Sequence, residues 1–271
     1  MADLEMCWAL PKKSIEIPQS VRAVAGGGSV RAVWDKELGG PTFEVGAGPE
    51  LRFIKWAPAG SGLDRPAEVA RLALAGELTA VPRVLDFGED QTGTWLVTQA
   101  VPGESAVSGR WKSAPGTAVA AIGKGLRVFH DALPVAHCPF TWSAQERLDT
   151  ARQQAALGLL DPATWHVEHQ RLTVEQALDE LTTIPPLDHA VVCHGDACAP
   201  NTLLSENGGW SGHVDLGAMG VGDRWADLAI ATWSAEWNYG PGWEDQLLSA
   251  YGILADRERI RYYRLLWDLC P

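Results

Sequence analysis

The chain has 271 residues, 34 acidic against 22 basic side chains, a formal net charge of −12, 46% hydrophobic and 21% charged residues. That composition is globular, sufficient for one sizeable core or two smaller ones, and it excludes collagen-like, disordered and disulfide-framework classes. The acidity argues against nucleic acid or an anionic membrane surface as a partner, because a phosphate backbone selects a basic footprint. Residues 1–103 sum to −3 and residues 104–271 to −9, so a cationic partner would be drawn to the later part. No run approaches the ~20 apolar residues of a membrane span, and the opening Met-Ala-Asp-Leu-Glu-Met carries acids where a signal peptide needs a positive region; a cytoplasmic protein is expected. The five cysteines, Cys7, Cys138, Cys193, Cys198 and Cys270, are scattered and form no C-x-x-C pair, which points to reduced thiols.

In chain order, residues 20–24 and 30–34 read as strands flanking the triple glycine 26–28, and residues 42–45 and 51–56 as strands flanking Gly46-Ala-Gly-Pro49. A further strand, 94–99, follows the turn-rich stretch 88–93. One helix interrupts them: Asp64 suits its cap, Pro66 its first turn, and Val69, Leu72 and Leu78 give an apolar stripe. From about residue 116 the period changes. Val119, Ile122, Leu126, Phe129 and Leu133 step by three and four, and further helices are expected at roughly 143–158, 172–183, 243–253 and 257–267. A small sheet-rich part, 1–100, therefore precedes a larger helical part, 101–271, with Val101-Pro-Gly-Glu104 as the hinge between them. Within the helical part, residues 190–193 and 210–215 form a β-type island whose strands end in His194-Gly-Asp196 and Asp215-Leu-Gly217, a placement typical of chemistry.

That island holds the most informative pattern. Phosphoryl transfer needs a carboxylate to take the proton of the attacking hydroxyl, and hard oxygen ligands for magnesium. Asp196, Asn201 and Asp215 supply both; the step from Asp196 to Asn201 matches the catalytic loop of protein kinases, and Asp215-Leu-Gly217 stands where they have Asp-Phe-Gly. Upstream, the glycine run 26–28 with Ser29 can bring backbone N–H groups to phosphates, Lys55 ends the run Arg-Phe-Ile-Lys as a phosphate-pairing lysine does, and Glu68 on the next helix can orient it. Each piece alone has an ordinary explanation: a flexible hairpin, a solvated lysine, an exposed helix acid, a capped turn. Their joint order and spacing do not.

From His194 to Thr232, with His-Gly-Asp-Ala-Cys-Ala-Pro-Asn, Asp-Leu-Gly, Gly-Val-Gly-Asp-Arg-Trp and Ala-Asp-Leu-Ala-Ile-Ala-Thr, the chain closely resembles the bacterial aminoglycoside 3'-phosphotransferases. The likeness extends to Cys138-Pro-Phe140, to Glu168-His-Gln170 and to Tyr-Arg-Leu-Leu at 263–266. It implies an α+β, protein-kinase-like two-lobed fold, with a small five-stranded antiparallel N-lobe bearing one helix and a larger, mainly helical C-lobe. It further implies that Asp196 is the catalytic base, that Asn201 and Asp215 hold Mg²⁺, and that Lys55, paired with Glu68, holds the α- and β-phosphates of ATP or another nucleoside triphosphate. On the same footing Ser29 reaches the β-phosphate, main-chain groups of Gln99 and Val101 hold the adenine, and Asp227, with His194, supports the catalytic loop. The implied substrate is a cationic aminoglycoside, and a monomer or weak dimer is expected.

The resemblance thins at the substrate. Family members use an acidic pocket that includes a glutamate near the C-terminus and the terminal carboxylate; here Asp268 stands near that place and the tail runs about a residue longer. Ala218 replaces a common arginine, and the acid-rich insert retains only Asp161 and Glu168. Trp237 and Tyr239, read as lying in a Gly/Pro-rich turn, are expected to wall the substrate, whereas Trp233 and Trp243 fit a core. His166 and His169 read as a surface helix pair rather than metal ligands. Two alternatives accompany the main reading: a kinase of the same fold acting on another hydroxylated antibiotic or small metabolite, and a nucleotide-binding module without turnover. A protein kinase is disfavoured, because after Gly217 the chain is expected to enter a helix directly with no Ala-Pro-Glu motif.

Overall fold

A helix, not a strand, is the first element among the described residues of the computed structural model, which are 15–36 and 40–270 (side chains of 35 and 36 excepted), so that Cys7 lies outside them. Residues 20–24 belong to α1 (Gln19–Ala25). Their valines favour a strand by propensity, but tertiary packing decides otherwise. Val21 and Ala25, one helical turn apart, are almost fully buried in one core with Phe43, Val45, Ile54 and Val97. Gly26 then ends the helix in the left-handed region (φ 63°) and donates its N–H to Ala23 O. The glycine run therefore caps a helix rather than joining two strands.

The chain divides into two compact units at Pro102/Gly103. In the first, an antiparallel five-stranded sheet has the order β1 (Val30–Lys36), β2 (Gly40–Val45), β3 (Arg52–Pro58), β5 (Gly93–Gln99), β4 (Val84–Glu89), with α2 (Arg65–Gly76) between β3 and β4. Strand β4 replaces the expected strand at 20–24. Its Gly88 suggests a turn, but it pairs with Trp95 across the ladder, and a Cβ there would lie 2.6 Å from the indole ring. Asp64 caps α2 by accepting from the Ala67 amide, and Pro66 stands in its first turn. The buried face is not the expected stripe. It runs through Arg65, Glu68, Leu72 and Ala75, while Leu78 lies beyond the helix and is exposed.

The second unit begins with β6 (Glu104–Ser105) and α3 (Gly109–Lys112), then α4 (Pro115–Ala132), α5 (Ala144–Ala156) and α6 (Val174–Leu181). Next come β7 (Ala190–Cys193), β8 (Thr202–Leu204), β9 (Trp210–His213) and β10 (Gly220–Asp223), then α7 (Trp225–Tyr239), α8 (Glu244–Tyr251) and α9 (Arg257–Leu269). Strands β6, β8 and β9 form one small sheet and β7 with β10 another. The stripe of α4 is buried as its period requires, from Val119 through Ile122 and Leu126 to Phe129. Two readings are corrected. Residues 218–224 do not pass straight into a helix, because β10 intervenes and pairs with β7. Trp237 and Tyr239 are not in a turn but in the last turn of α7, which Gly240 closes. Every residue from Trp225 to Ala235 is buried, so α7 has no polar face to reveal it. No helix among the described residues is long and apolar enough to cross a membrane.

Gly88→Ala is expected to lower the thermal midpoint by the equivalent of about 1–3 kcal/mol, the usual cost of overpacking. Gly109→Ala, where a Cβ meets nothing within 4 Å, should leave the midpoint in place, as thermal denaturation followed by circular dichroism would show.

Candidate active site

In the first unit the chemistry centres on one carboxylate. Lys55 lies on β3 in register with Thr42 and Leu96, and its Nζ donates to Glu68 Oε1 at 2.6 Å. The second oxygen, Oε2, accepts from Arg65 Nη1, also at 2.6 Å. Both partners reach Glu68 because Arg65 and Glu68, three apart, share the buried face of α2. Sequence reasoning missed Arg65; a cation three residues before Glu68, after the capping aspartate, was the available signal. The three side chains sum to +1, so this patch of an acidic protein is cationic.

Ser29 follows the glycine turn. Its neighbour Val30 is in register with Val45, hence with Arg52 and Gln99, whereas Lys55 stands three residues further along β3. At about 3.3 Å per residue that separation is roughly 10 Å. Gln99 ends β5, with its amide donating to Arg83 O and its Oε1 accepting from Arg83 Nε; Val101 follows it, half-buried.

In the second unit, the loop after β7 is tied down at almost every polar atom. From Val191 to Thr202 every residue is buried except Asp196. The Asp196 amide donates to His194 Nδ1 at 3.2 Å, and the Asp196 carbonyl accepts from Asn201 Nδ2 at 2.9 Å. His194 must therefore carry its proton on Nε2, which donates to Val214 O at 3.0 Å. One imidazole thus joins the main chain of Asp196 to the residue before Asp215. Gly195 makes the close approach possible: it sits at φ 86°, and a Cβ would lie 2.3 Å from Ala218 O. Asp215 has φ 67°, the only positive φ outside glycine among the described residues, and aspartate tolerates this region better than most side chains.

Beneath the loop is Asp227, 1% exposed. Its Oδ2 accepts from the His194 amide (2.6 Å) and His130 Nε2 (2.9 Å), and its Oδ1 from the Gly195 amide (3.0 Å). Burial opposes its charge, but the hydrogen bond and charge of His130, with His194, outweigh it and hold the pKa below the ordinary aspartate value. His130 Nδ1 meets the Tyr251 hydroxyl at 2.8 Å, and burial pushes that phenol up to about 12. The neighbouring thiol of Cys193 is no nucleophile. Burial, then Asp227 and Asp223, raise its pKa well above the ordinary range, and its Sγ–H points to Asp223 O.

The donor set suits magnesium. With Asn201 Nδ2 committed to Asp196 O, the carboxamide oxygen is the atom that would face a cation, and Asp215 would add a carboxylate. Mg²⁺ characteristically takes one or two such groups and completes its shell with water and phosphate oxygens.

The expected substrate residues do not form one wall. Asp161 accepts from the Ala163 amide and caps a short turn, exposed; Glu168 is exposed, with Oε2 3.8 Å from His166 Nδ1. Asp268 is engaged within the chain: its carboxylate accepts from the His166 amide (3.2 Å to each oxygen) and from His169 Nδ1 at 2.5 Å, leaving the side chain 11% exposed. His166 and His169 are accordingly not a surface helix pair. They lie in a turn, His169 buried, with the His166 ring 4.3 Å from that of Trp233 and 6.2 Å from that of Trp237. Burial holds the His166 imidazole below its ordinary pKa against the pull of Glu168 and Asp268. Tyr239 packs on the core and donates its hydroxyl to Ala106 O at 2.8 Å.

A sheet lysine paired with a glutamate of the following helix, and a buried loop in which one aspartate alone is half-buried, beside an asparagine and an Asp-Leu-Gly turn, define a kinase-like phosphotransferase. The chain matches the phosphotransferase enzyme family over residues 21–263 and belongs to it. It is 35% identical over 252 residues to an aminoglycoside 3'-phosphotransferase of Streptomyces fradiae, covering 87% of this chain and 92% of the relative. It is also 35% identical over 254 residues to a streptomycin 3''-kinase of Streptomyces griseus, covering 88% and 90%. Among solved structures, aminoglycoside phosphotransferase APH(3'')-Id of Streptomyces rimosus, in complex with ADP and streptomycin, superposes with TM-score 0.76 at 29% identity, over 92% of this chain and 95% of that one. A type VIII aminoglycoside 3'-phosphotransferase gives TM-score 0.76 at 31% identity, over 92% and 97%. The fold is thus protein-kinase-like and the protein is an enzyme of phosphoryl transfer.

The buried histidines set an acid limit. His213, packed against His194 and Phe129, accepts from Trp210 Nε1, and burial drops its pKa well below 6.5. The unfolded chain therefore binds this proton more tightly than the folded one. Stability should be full above about pH 6.5 and fall below it by up to about 1.4 kcal/mol per pH unit. His166 acts in the same direction, whereas loss of the Asp227 contribution begins only below the ordinary aspartate range. Urea unfolding at pH 7.5, 6.5 and 5.5 should show this slope, and His213→Asn, which retains an acceptor for Trp210, should flatten it.

Proposed function

We propose that the enzyme transfers the γ-phosphoryl group of ATP to a hydroxyl of an aminoglycoside antibiotic, inactivating it and conferring resistance. The observation that carries this reading is that Asp196 alone is only half-buried in a loop otherwise buried from Val191 to Thr202, with its main chain held on one side by His194 and on the other by Asn201. Asp196 accepts the proton of the substrate hydroxyl as its oxygen attacks γ-phosphorus; the bond from γ-phosphorus to the β,γ-bridging oxygen breaks, and ADP leaves. Lys55, fixed by Glu68, neutralises the α- and β-phosphates. Asn201 and Asp215 hold Mg²⁺, which when bound supplies charge neutralisation to the phosphates. Main-chain groups of Gln99 and Val101 hold the adenine; Ser29, whose neighbour Val30 is in register with Gln99 about 10 Å along the sheet from Lys55, is not assigned to the β-phosphate. Positioning and electrostatics, rather than covalent catalysis, account for the rate.

The substrate class is supported by the named relatives and by charge: residues 104–271 sum to −9, and a polycationic aminosugar is attracted by such a field. Glu168 and Asp161, both exposed acids, and the half-buried Trp237 are the groups we assign to it; Asp268 and Tyr239 act through the fold. The reading is of the 3' type. A 3'' specificity on streptomycin is the second reading, favoured by the equal identity to the streptomycin 3''-kinase. A cytoplasmic enzyme, where ATP is supplied, acting as a monomer or weak dimer, fits this reading.

Coupled measurement of ADP release with kanamycin, neomycin and streptomycin, alongside macrolide, nucleoside and peptide antibiotics, tests the reading. Turnover is expected with at least one aminoglycoside, and the preferred ring separates the 3' from the 3'' reading. Asp196→Ala should lose about 10²–10⁴-fold in kcat, the usual contribution of a general base, with nucleotide affinity within twofold. Turnover confined to another antibiotic class would move the substrate elsewhere, and Mg²⁺-dependent ATP binding without any turnover would make the chain a binding module.

A further inference from the structure

Helix α7 meets the catalytic loop at two places on one face. Asp227 takes the amides of His194 and Gly195, and Ser234, seven residues and two turns later, takes a loop amide four residues beyond Gly195 through its hydroxyl: Ala199 N–H donates to Ser234 Oγ at 2.9 Å. Asp196 lies between the two anchors. Ser234 is wholly buried, and no family motif quoted above includes it.

Ala199 is the first residue of the short 3₁₀ turn Ala199–Asn201. The opening amides of such a turn have no partner inside it, Pro200 has none to offer, and the Asn201 amide is used by Cys198 O. Ser234 therefore supplies, from another element, the cap that Cys198 cannot provide. Its own geometry is fixed one helical turn on, where Asn238 Nδ2 donates to Ser234 O at 2.8 Å and to Oγ at 3.3 Å.

The turn is held from its other side by the start of the unit. Ser105 Oγ donates to Pro200 O at 2.9 Å, and the Ala106 amide donates to Thr202 O at 2.9 Å. Ala106 O in turn accepts the Tyr239 hydroxyl, so the last residue of α7 braces the strand that braces the turn. Ser234, Asn238 and Tyr239 thus close a clamp around the residues that carry Asn201.

We propose that Ser234 is a positioning residue that sets where the Asn201 carboxamide oxygen stands, and thereby the affinity of the nucleotide complex for its divalent cation. The proposal rests on the reading of Asn201 as a metal ligand. Removing the hydroxyl leaves the Ala199 amide buried without an acceptor, and the turn relieves this by shifting, carrying Asn201 with it. Groups one step removed from a metal typically change its affinity by 10- to 100-fold when lost.

The test measures Mn²⁺ binding to the ADP complex of the full chain by electron paramagnetic resonance, together with the thermal midpoint and with kcat and KM for the antibiotic. Ser234→Ala is expected to weaken Mn²⁺ about tenfold and to lower kcat at limiting Mg²⁺, with recovery at high Mg²⁺ and KM for the antibiotic unchanged. Thr232→Val is the control. It also loses a buried hydroxyl from α7, one bonded to Leu228 O, Ala229 O and Arg264 but not to the loop, so the midpoint should fall while Mn²⁺ affinity holds. Asn238→Ala, which keeps the Ser234 hydroxyl, should shift Mn²⁺ affinity the same way by a smaller factor and serves if Ser234→Ala does not fold. Equal Mn²⁺ affinity in Ser234→Ala, or in Asn238→Ala where only that variant folds, and in wild type would overturn the proposal. If Asn201→Ala leaves Mn²⁺ affinity unchanged, the ligand reading itself fails and takes the proposal with it.

Discussion

The geometry of the catalytic loop depends on a carboxylate that water does not reach. Asp227 offers two oxygens to two consecutive peptide amides, those of His194 and Gly195, and such an arrangement forces the backbone between them into one conformation. A buried charge of this kind is costly unless every lone pair is used. Here His130 takes the remaining contact on Oδ2, and charge-assisted bonds at 2.6–3.0 Å supply what hydration would have given. The left-handed Gly195 follows from that constraint, and the Asp196 side chain follows from Gly195.

From this point the structure is a chain of dependent placements. The neutral His194 ring accepts from Asp196 and donates to Val214, so the two carboxylates assigned to the chemistry, Asp196 and Asp215, are set against each other through one side chain. Asp215 then departs from ordinary backbone geometry with its positive φ. Strain of about 1–3 kcal/mol persists at such a site only where neighbours over-determine it, and Val214, held by His194 and by the Asn201 carbonyl, is such a neighbour. The same logic governs the first unit on a smaller scale: Glu68 is fixed by Arg65 before it fixes Lys55.

The residues proposed for the chemistry could be singled out in the sequence because spacing and order survive without a structure. The five-residue step to Asn201 and the Asp-Leu-Gly turn needed no knowledge of packing, nor did the stripe of α4, whose period is set by one buried and one wet face. What was hidden had the opposite character. Helix α7 is apolar all round and offers no period. Helix α1 is short and rich in valine, so propensity pointed to a strand until Val21 and Ala25 found a common core. Strand β4 was masked by Gly88, whose glycine serves the Trp95 ring and not a turn. Asp268 could be located by analogy with a substrate acid, but its bonds to the 166–169 turn come from chain segments about a hundred residues apart, which no local pattern records.

Net charge illustrates the same division. A total of −12 argues against a nucleic-acid phosphate backbone as partner. A nucleotide asks for much less: a few charges at fixed positions, where local field outweighs distant acids screened over about 8 Å at physiological ionic strength. Lys55, Arg65 and Glu68 leave such a locally positive patch inside an acidic protein. The surplus acids then act on the other reactant, over longer distances and with less geometric demand. The aminoglycoside proposed as substrate is a polycation that would need attraction more than registry, and the −9 of residues 104–271 would supply it.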